Sequence, residues 1–308
     1  MRLDVVIPVY NEQDNLPQLC DRLAAACSQV AEASWRIIFV NDGSTDRSAA
    51  LIHDRYQQDP RFTLVDLSRN WGHQAAISAG LAQVDADAVI VMDGDLQDPP
   101  ELIPELVQAW RQGGQIVLAL RRSRQERGLR RVGLDLFHRF FRYISDYPIP
   151  ANAGIFGLLD RAAVAELSAL PERHRFIPGL RAWIGFEQRT VLYDRGVRAA
   201  GEPKVGFRHL VRLALDGTFS FSYKPLRLMT WAGIFISLAG FATACYFILK
   251  RLTGEEHAFM GFTTLVTLVL FLGGIQLIAI GLLGEYLGRI YDEVKGRPLY
   301  IVKSRTGL

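Results

Sequence analysis

The chain has 308 residues, more than one domain usually holds, so a main domain with a smaller appended part is expected. Its net charge of +3 is too small to indicate nucleic-acid binding, and its three scattered cysteines argue against a disulfide framework or a cysteine metal site. Hydrophobic residues make up 49% of the chain and concentrate in its last third, which predicts a soluble part followed by an apolar part.

Five strand-like runs alternate with helical patterns along the first 120 residues. The runs are rich in Val and Ile and lack strict polar-apolar alternation, which is typical of buried, mostly parallel strands. The predicted strands are 4–9, 36–40, 62–67, 88–92 and 115–120, and the predicted helices are 15–30, 47–57, 72–83 and 100–113. This alternation predicts an α/β fold. No signal-peptide pattern precedes the first strand, so the N-terminal domain is expected to stay in the cytoplasm.

Polar segments follow four of these strands. In an open parallel sheet, ligands bind beyond the carboxyl ends of the strands, so these segments are the candidate site. None of them contains the G-x-G-x-x-G fingerprint or the P-loop pattern, which argues against a dinucleotide-dependent oxidoreductase and against an ATP-binding protein. The segments are 10–12, 41–44, 68–71 and 93–97.

Two long stretches in the last third lack charged residues. Residues 228–249 and 258–284 are each long enough to cross a bilayer as a helix, which takes about 20 residues. The short link 250–257 predicts an antiparallel hairpin. Basic residues flanking the pair outnumber those in the link, which favours a cytoplasmic location for both flanks. A buried hairpin in a soluble protein is the alternative.

The strongest local signal is the segment 89–100, VIVMDGDLQDPP, a hydrophobic strand that ends in two carboxylates two residues apart. Asp93 and Asp95 can therefore address one site at the strand end. Oxygen ligands of this kind suit Mg²⁺ or Mn²⁺, which can bridge to a substrate diphosphate. Taken alone, an Asp-x-Asp pair also serves as a loop or capping element.

Two further strand ends carry side chains suited to a nucleotide. Tyr10 offers a ring for stacking, and Asn11 and Glu12 offer hydrogen-bonding groups, although both types are also common in turns and helix entries. In the segment 41–46, NDGSTD, Asp42 can accept a hydrogen bond from uracil, and a hydroxyl after it can cap the next helix. Each segment is equivocal alone, and their order along the chain favours a functional role.

Seven segments together resemble family-2 glycosyltransferases and, within them, the polyprenyl-phosphate subgroup. The segments that resemble the family are IPVYNE at 7–12, NDGSTD at 41–46, SRNWGH at 68–73 and DGDLQDPP at 93–100. Those that resemble the subgroup, which includes bactoprenol glucosyltransferases and dolichol-phosphate mannose synthases, are PERHRF at 171–176, LDGTFSFS at 215–222 and LGEYLGRIY at 283–291. The resemblance covers nearly the whole chain and implies a GT-A fold, an inverting reaction and a divalent metal, Mg²⁺ or Mn²⁺.

The resemblance also implies roles for residues in these segments. The implied nucleotide-binding residues are Pro8, Tyr10, Asn11, Glu12, Asp42, Asp93 and Gly94. The implied metal-binding residues are Asp93, Asp95 and Gln97. Asp95 is further expected to act in catalysis.

By the same resemblance, arginines hold the phosphate of a lipid acceptor. Arg121, after the fifth strand, and Arg131, in the following helix, are implied as catalytic residues, because a guanidinium stays charged and pairs bidentately with phosphate. Arg198 and Lys204 are weaker candidates for the same anion. For the neighbouring arginines, a solvated basic face or headgroup contact is the alternative.

One segment departs from the resemblance. Relatives often read Gly-Asp-Phe-Arg where this chain has GIFG at 154–157, so Ile155 replaces an acid proposed as base or sugar ligand. A lipid monophosphate has a second pKa of about 6 and is largely a dianion at neutral pH, so it needs no base to remove a proton. The sequence therefore predicts direct in-line attack of the phosphate on the anomeric carbon.

The expected architecture is an α/β, GT-A (Rossmann-like, mostly parallel sheet) domain followed by juxtamembrane helices and a transmembrane hairpin. The expected parts are a catalytic domain with acceptor-binding extension at 1–215, a juxtamembrane segment at 216–227, two transmembrane helices within 228–288 (about 228–249 and 262–284) and a cytoplasmic tail at 289–308. The protein is expected in the inner (cytoplasmic) membrane as a multi-pass protein, among membrane lipids, with both termini cytoplasmic. The resemblance also suggests a homo-oligomer, a tetramer.

The expected reaction moves a sugar, glucose from UDP-glucose by resemblance, onto a polyprenyl phosphate such as undecaprenyl phosphate. Mannose, aminoarabinose and N-acetylglucosamine are alternatives, because motifs do not separate these sugars. A processive polysaccharide synthase shares the catalytic domain but normally carries Gln-x-x-Arg-Trp and more membrane helices, and neither occurs here. A catalytically impaired membrane receptor for nucleotide sugars is favoured only by Ile155 and Gly157.

Overall fold

The computed structural model describes residues 1–122, 153–194, 224–252 and 262–308. The chain forms two compact units. One consists of Met1–Ser220 together with Arg297–Leu308, and the other of Phe221–Gly296. The candidate site lies in the first unit.

Strands and helices alternate through the described part of the first unit. The strands are β1 (Arg2–Val9), β2 (Ser34–Asn41), β3 (Phe62–Leu67), β4 (Ala88–Val91), β5 (Ile116–Arg121), β6 (Ala153–Asp160), β7 (Gln188–Tyr193) and β8 (Val302–Thr306). The helices are α1 (Leu16–Ser28), α2 (Ser48–Gln58), α3 (His73–Leu81), α4 (Ile103–Arg111), α5 (Arg161–Ala169) and α6 (Ile177–Trp183). A 3₁₀ turn at Pro100–Leu102 precedes α4.

The described strands form one sheet in the order β7-β5-β6-β4-β1-β2-β3-β8. Strands β1 to β5 and β7 run in one direction, while β6 and β8 run against their neighbours. The carboxyl ends of six strands therefore meet at one edge of the sheet, which is where ligands bind in open α/β folds. The amino end of β6 lies at the same edge.

The central strands are buried on both faces, which explains their unbroken apolar sequence. Val5, Val6 and Ile7 of β1 are all 0% exposed, although successive side chains point to opposite faces. Helices therefore cover both sides of the sheet, as the lack of alternation predicted.

The five predicted strands and four predicted helices are confirmed, with ends shifted by a few residues. Strands β6, β7 and β8 were not predicted. Strand β8 lies in the segment that the sequence assigned to a C-terminal tail, and it pairs antiparallel with β3. It carries the polar sequence VKSRT, which gives little strand signal outside its pairing with β3.

The second unit contains two long apolar helices, α7 (Lys224–Leu252) and α8 (Phe262–Val294). Within the described residues, these are the helices long and apolar enough to cross a membrane, over Leu226–Thr243 and Thr267–Val294. Large apolar side chains such as Phe235 and Leu270 are about 70% exposed, as side chains that face lipid would be. The predicted spans 228–249 and 262–284 are helical, residues 258–261 lie outside the described residues, and α8 continues beyond the predicted end of the hairpin at 288.

Candidate active site

The carboxyl edge of the sheet brings together the polar segments that follow the strands. The loops after β1, β2, β3 and β4 lie side by side because these strands are neighbours and run in one direction. Their contact is direct: a side chain added at Gly94 would begin 3.4 Å from the carbonyl oxygen of Pro8. Strands β5 and β7 end at the same edge with Arg121 and Tyr193.

The loop after β4 carries the carboxylate pair. Asp93 is partly exposed, and Asp95 accepts a hydrogen bond of 3.2 Å from the backbone N–H of Gln97. Leu96, between Asp95 and Gln97, adopts φ +60°, a left-handed conformation that is unfavourable for residues other than glycine. The side chain of Leu96 is buried, which holds this conformation in place and fixes the loop.

The carboxylate pair suits a divalent cation that a substrate completes. Among the described residues, no group of three or more His, Cys, Asp and Glu side chains has a metal-holding arrangement. Mg²⁺ is usually held by one or two protein carboxylates together with substrate phosphates, so Asp93 and Asp95 fit this mode of binding. The donor set does not by itself separate Mg²⁺ from Mn²⁺.

His73 is a site residue to which the sequence assigned no role. Its Nε2 lies 2.8 Å from Oδ1 of Asp93. Desolvation of the ring lowers the pKa of His73, but the hydrogen bond to Asp93 and the nearby charges of Asp93, Asp42 and Asp95 outweigh it, so the pKa is raised. The motif SRNWGH could have indicated this residue, because its histidine is the first residue of α3 and lies beside the acidic loop.

The loop after β1 presents Tyr10 and anchors its neighbours. Tyr10 is 42% exposed, so its ring is accessible for stacking on a base. Asn11 adopts φ +54°. Its side-chain Oδ1 accepts a hydrogen bond from the backbone N–H of Thr45 at 2.9 Å, and its own backbone N–H donates to the hydroxyl of Ser44. Asn11 therefore ties the loops after β1 and β2 together.

Glu12 lies at the entry to α1. Its backbone N–H donates to the hydroxyl of Ser48 at 3.0 Å, and its carboxylate accepts from the side chain of Asn15 at 2.6 Å. Its carbonyl oxygen also accepts from the backbone of Asn15 and Leu16. These bonds correspond to the helix-entry role that the sequence left open for this residue.

Asp42 holds the loop after β3. It is 4% exposed, and its two oxygens accept from the backbone N–H groups of Trp71 at 2.7 Å and Gly72 at 3.0 Å. Burial raises the pKa of Asp42, and these hydrogen bonds partly oppose the rise. The predicted contact with uracil would thus be added to a structural role that the sequence did not indicate.

Gly43 lets the loops after β2 and β3 approach each other. It adopts φ +68°, and a Cβ here would lie 2.5 Å from the backbone carbon of Arg69 and from the nitrogen of Asn70. Both the backbone conformation and the contact therefore require glycine.

Replacing Gly43 with alanine is expected to destabilise the first unit by about 2 kcal/mol or more, because it adds left-handed strain and a backbone collision. Chemical denaturation of the purified chain would measure this. Gly113→Ala is the matched control: it also has positive φ, at +103°, but its nearest contact is a side-chain atom at 3.6 Å. Equal losses for both variants would show that the Gly43 contact is unimportant.

Arg121 lies across the edge from the acidic loop. Its Nε donates to the hydroxyl of Tyr193 at 3.3 Å, and that hydroxyl donates to Oδ1 of Asp98 at 2.5 Å. Burial, followed by the charge of Asp98, raises the pKa of Tyr193 to about 12, so the hydroxyl keeps its proton at neutral pH. Tyr193 and Asp98 were not predicted as site residues. Arg131, Arg198 and Lys204 lie outside the described residues.

Arg181 forms hydrogen bonds with the segment GIFG at 154–157, which differs from the sequence that relatives often have there. This side chain is 3% exposed and donates to the carbonyl oxygens of Gly154 at 2.5 Å and Ile155 at 3.0 Å. A Cβ at Gly157 would lie 2.5 Å from the carbonyl oxygen of Val117, so a side chain there would require β6 to shift from β5. Burial lowers the pKa of Arg181 to about 10, which leaves it charged at neutral pH.

A mostly parallel α/β sheet with a carboxylate pair after β4 and polar loops after β1, β2 and β3 is the arrangement of a GT-A glycosyltransferase fold. The model of Glycosyl transferase family 2 matches residues 4–168, and that of the GtrB C-terminal hairpin matches residues 224–290. The chain belongs to glycosyl transferase family 2 and carries this hairpin.

Full-length relatives agree with this assignment. An uncharacterized glycosyltransferase of Synechocystis sp. is 46% identical over 100% of this chain and 96% of its own length. The SfII prophage-derived bactoprenol glucosyl transferase of Shigella flexneri is 39% identical over 99% of this chain and 98% of its own. Among solved structures, a mannosyltransferase from Pyrobaculum calidifontis in complex with GDP-Man and Mn²⁺ matches 96% of this chain and 88% of its own, with 15% identity and a TM-score of 0.49.

Proposed function

We propose that this enzyme transfers a hexose, glucose from UDP-glucose, with inversion onto a polyprenyl phosphate such as undecaprenyl phosphate. The observation that carries the proposal is the arrangement at one sheet edge. Carboxylates that suit a donor diphosphate and its cation follow β4, and a guanidinium that suits a phosphate stands at the end of β5. The relatives named bactoprenol glucosyl transferases support the lipid acceptor and glucose.

The donor would bind across the loops after β1, β2 and β4. The ring of Tyr10 would stack on the base, with Pro8 and Asp42 alongside, and Gly94 would leave room for the diphosphate. Asp93 and Asp95, with Gln97 nearby, would hold Mg²⁺ or Mn²⁺, which when bound supplies positive charge to the diphosphate leaving group. The anchoring bonds of Asn11 and Asp42 keep these loops fixed before the donor arrives.

Transfer would be a single displacement. A phosphate oxygen of the lipid attacks the anomeric carbon, the new carbon–oxygen bond forms, and the bond to UDP breaks with its electron pair leaving on the diphosphate. As a dianion, the acceptor phosphate carries no proton on the attacking oxygen, so no base has to remove one. The reaction can therefore proceed with Ile155 in place of the acid found in relatives. Arg121, with Arg131 by resemblance, would orient the phosphate and offset its charge as the two reacting groups approach.

The hairpin would place this reaction at the membrane surface. We propose that α7 and α8 cross the inner membrane as two spans, with the catalytic domain and both termini in the cytoplasm. Their exposed apolar side chains and the matched GtrB hairpin support insertion, and the basic flanks support the orientation. A homo-oligomer, such as a tetramer, stays a prediction.

The test is an assay of the full chain in detergent with undecaprenyl phosphate and a panel of UDP-glucose, UDP-N-acetylglucosamine, GDP-mannose and UDP-aminoarabinose. Product is expected with one donor, UDP-glucose, with Mg²⁺ or Mn²⁺, and its loss is expected with EDTA. Binding of a donor without product from any of them would favour the catalytically impaired receptor.

A further inference from the structure

Three residues from separate elements form a continuous hydrogen-bonded chain behind the candidate phosphate site. Asp98 belongs to the loop that carries the carboxylate pair, Tyr193 ends β7, and Arg121 ends β5. The bonds are 2.5 Å from the Tyr193 hydroxyl to Asp98 and 3.3 Å from the Arg121 Nε to that hydroxyl. Arg121 and Tyr193 are direct partners in the parallel register of β5 and β7.

The donor and the acceptor of each of these hydrogen bonds follow from the chemistry of the three side chains. A phenol has one O–H to donate, and Tyr193 donates it in a hydrogen bond to Asp98, so the phenol oxygen remains free to accept from Arg121. Asp98 is 1% exposed, and the negative charge of its carboxylate strengthens the acceptor character of the phenol oxygen. The ring of Tyr193 is itself held edge-on by Phe156 at 5.7 Å.

The bond through Nε sets the direction of the rest of the guanidinium. Nη2 of Arg121 lies 3.3 Å from the place a Cβ would occupy on Gly154, at the edge where β6 begins. A flexible arginine without such a bond would have to lose its side-chain freedom when an anion binds, which costs affinity. An arginine that a hydrogen bond already holds has lost part of this freedom before the anion binds.

We infer that Tyr193 and Asp98 are positioning residues that orient the Arg121 guanidinium toward the phosphate of the lipid acceptor. The inference rests on the proposed function. It also connects the phosphate site to the acidic loop, because Asp98 lies three residues after Asp95. A residue in the donor loop thereby sets the geometry of an acceptor residue.

The test compares Tyr193→Phe and Asp98→Asn with the wild-type full chain in detergent micelles. Affinities are measured for undecaprenyl phosphate, for unphosphorylated undecaprenol and for UDP-glucose. Tyr193→Phe keeps the ring packed against Phe156 and removes only the hydroxyl. Trp110→Phe is the matched control, because it removes a similar 2.8 Å bond to a carboxylate, that of Asp160, at the other end of β6.

Tyr193→Phe is expected to weaken undecaprenyl phosphate binding about 10-fold, with a smaller loss for Asp98→Asn. Affinities for undecaprenol and UDP-glucose should stay within twofold, and Trp110→Phe should change none of the three. Unchanged undecaprenyl phosphate affinity in both site variants overturns the inference, as does an equal loss for all three ligands. A wild-type chain that does not distinguish the phosphate from the alcohol refutes the proposed function itself, and the inference with it.

Discussion

Replacing Asp95 with asparagine is expected to reduce sugar transfer about 100- to 1000-fold. The substitution keeps the size of the side chain and removes its negative charge, so the loop after β4 loses half of the carboxylate pair. A cation held by Asp93 alone would neutralise the departing diphosphate less well. The measurement is the initial rate of glycolipid formation at saturating Mg²⁺ or Mn²⁺.

Asp54→Asn is the control for this result. Asp54 is an exposed acid on α2, away from the carboxyl edge of the sheet, and its neutralisation changes the net charge of the chain by the same amount. It should leave the rate unchanged. A wild-type rate for Asp95→Asn would show that the acidic loop does not serve the reaction.

Replacing Arg121 with alanine is expected to lower kcat/KM for the lipid phosphate at least 100-fold. The change removes the guanidinium at the end of β5 and with it the hydrogen bond that Arg121 donates to the hydroxyl of Tyr193. Lysine at this position should recover only part of the loss, because an ammonium cannot pair bidentately with phosphate. The KM for the donor should change little, since Tyr10 and the acidic loop are untouched.

The neighbouring arginine provides a matched control. Arg122 has the same charge and follows in sequence, but its side chain is 61% exposed and lies 3.7 Å from Asp194 in a surface ion pair. Surface pairs of this kind contribute little, so Arg122→Ala should retain most of the activity. Similar losses at both positions would indicate a general basic surface rather than a phosphate site at Arg121.

The sequence predicted the part of the fold that is locally encoded. Strands β1 to β5 are largely apolar and mostly buried, so their Val- and Ile-rich runs revealed them, and the 62–67 strand was placed at its observed ends. Strand β6 contains two glycines, β7 begins with three polar residues, and β8 is largely polar. Their stability comes from pairing with distant strands, which a reading of local periodicity does not detect.

The same distinction holds for the candidate site. Asp93, Asp95 and Tyr10 follow strong strands, so their positions at one edge could be inferred from the order of the elements. The bonds that complete the site join residues far apart: His73 to Asp93 across 20 positions, Arg121 to Tyr193 across 72, and Tyr193 to Asp98 across 95. Such partners become evident only when the sheet order is known.

The structure also adds a structural role to two residues that were predicted to bind the nucleotide. Asn11 and Asp42 were predicted from the resemblance as nucleotide ligands. Both are engaged by the backbone of neighbouring loops, at 2.9 Å from Thr45 and 2.7 Å from Trp71. Their first physical effect is to hold the loops that a nucleotide would contact.

The most direct test of the proposed reaction incubates the full chain with UDP-glucose and either undecaprenyl phosphate or undecaprenol, and detects the lipid product by mass spectrometry. We expect a mass gain of one hexose on the phosphate only, dependent on Mg²⁺ or Mn²⁺ and abolished by EDTA. Equal hexose transfer to the alcohol, or transfer to the phosphate that continues undiminished in EDTA, would contradict it.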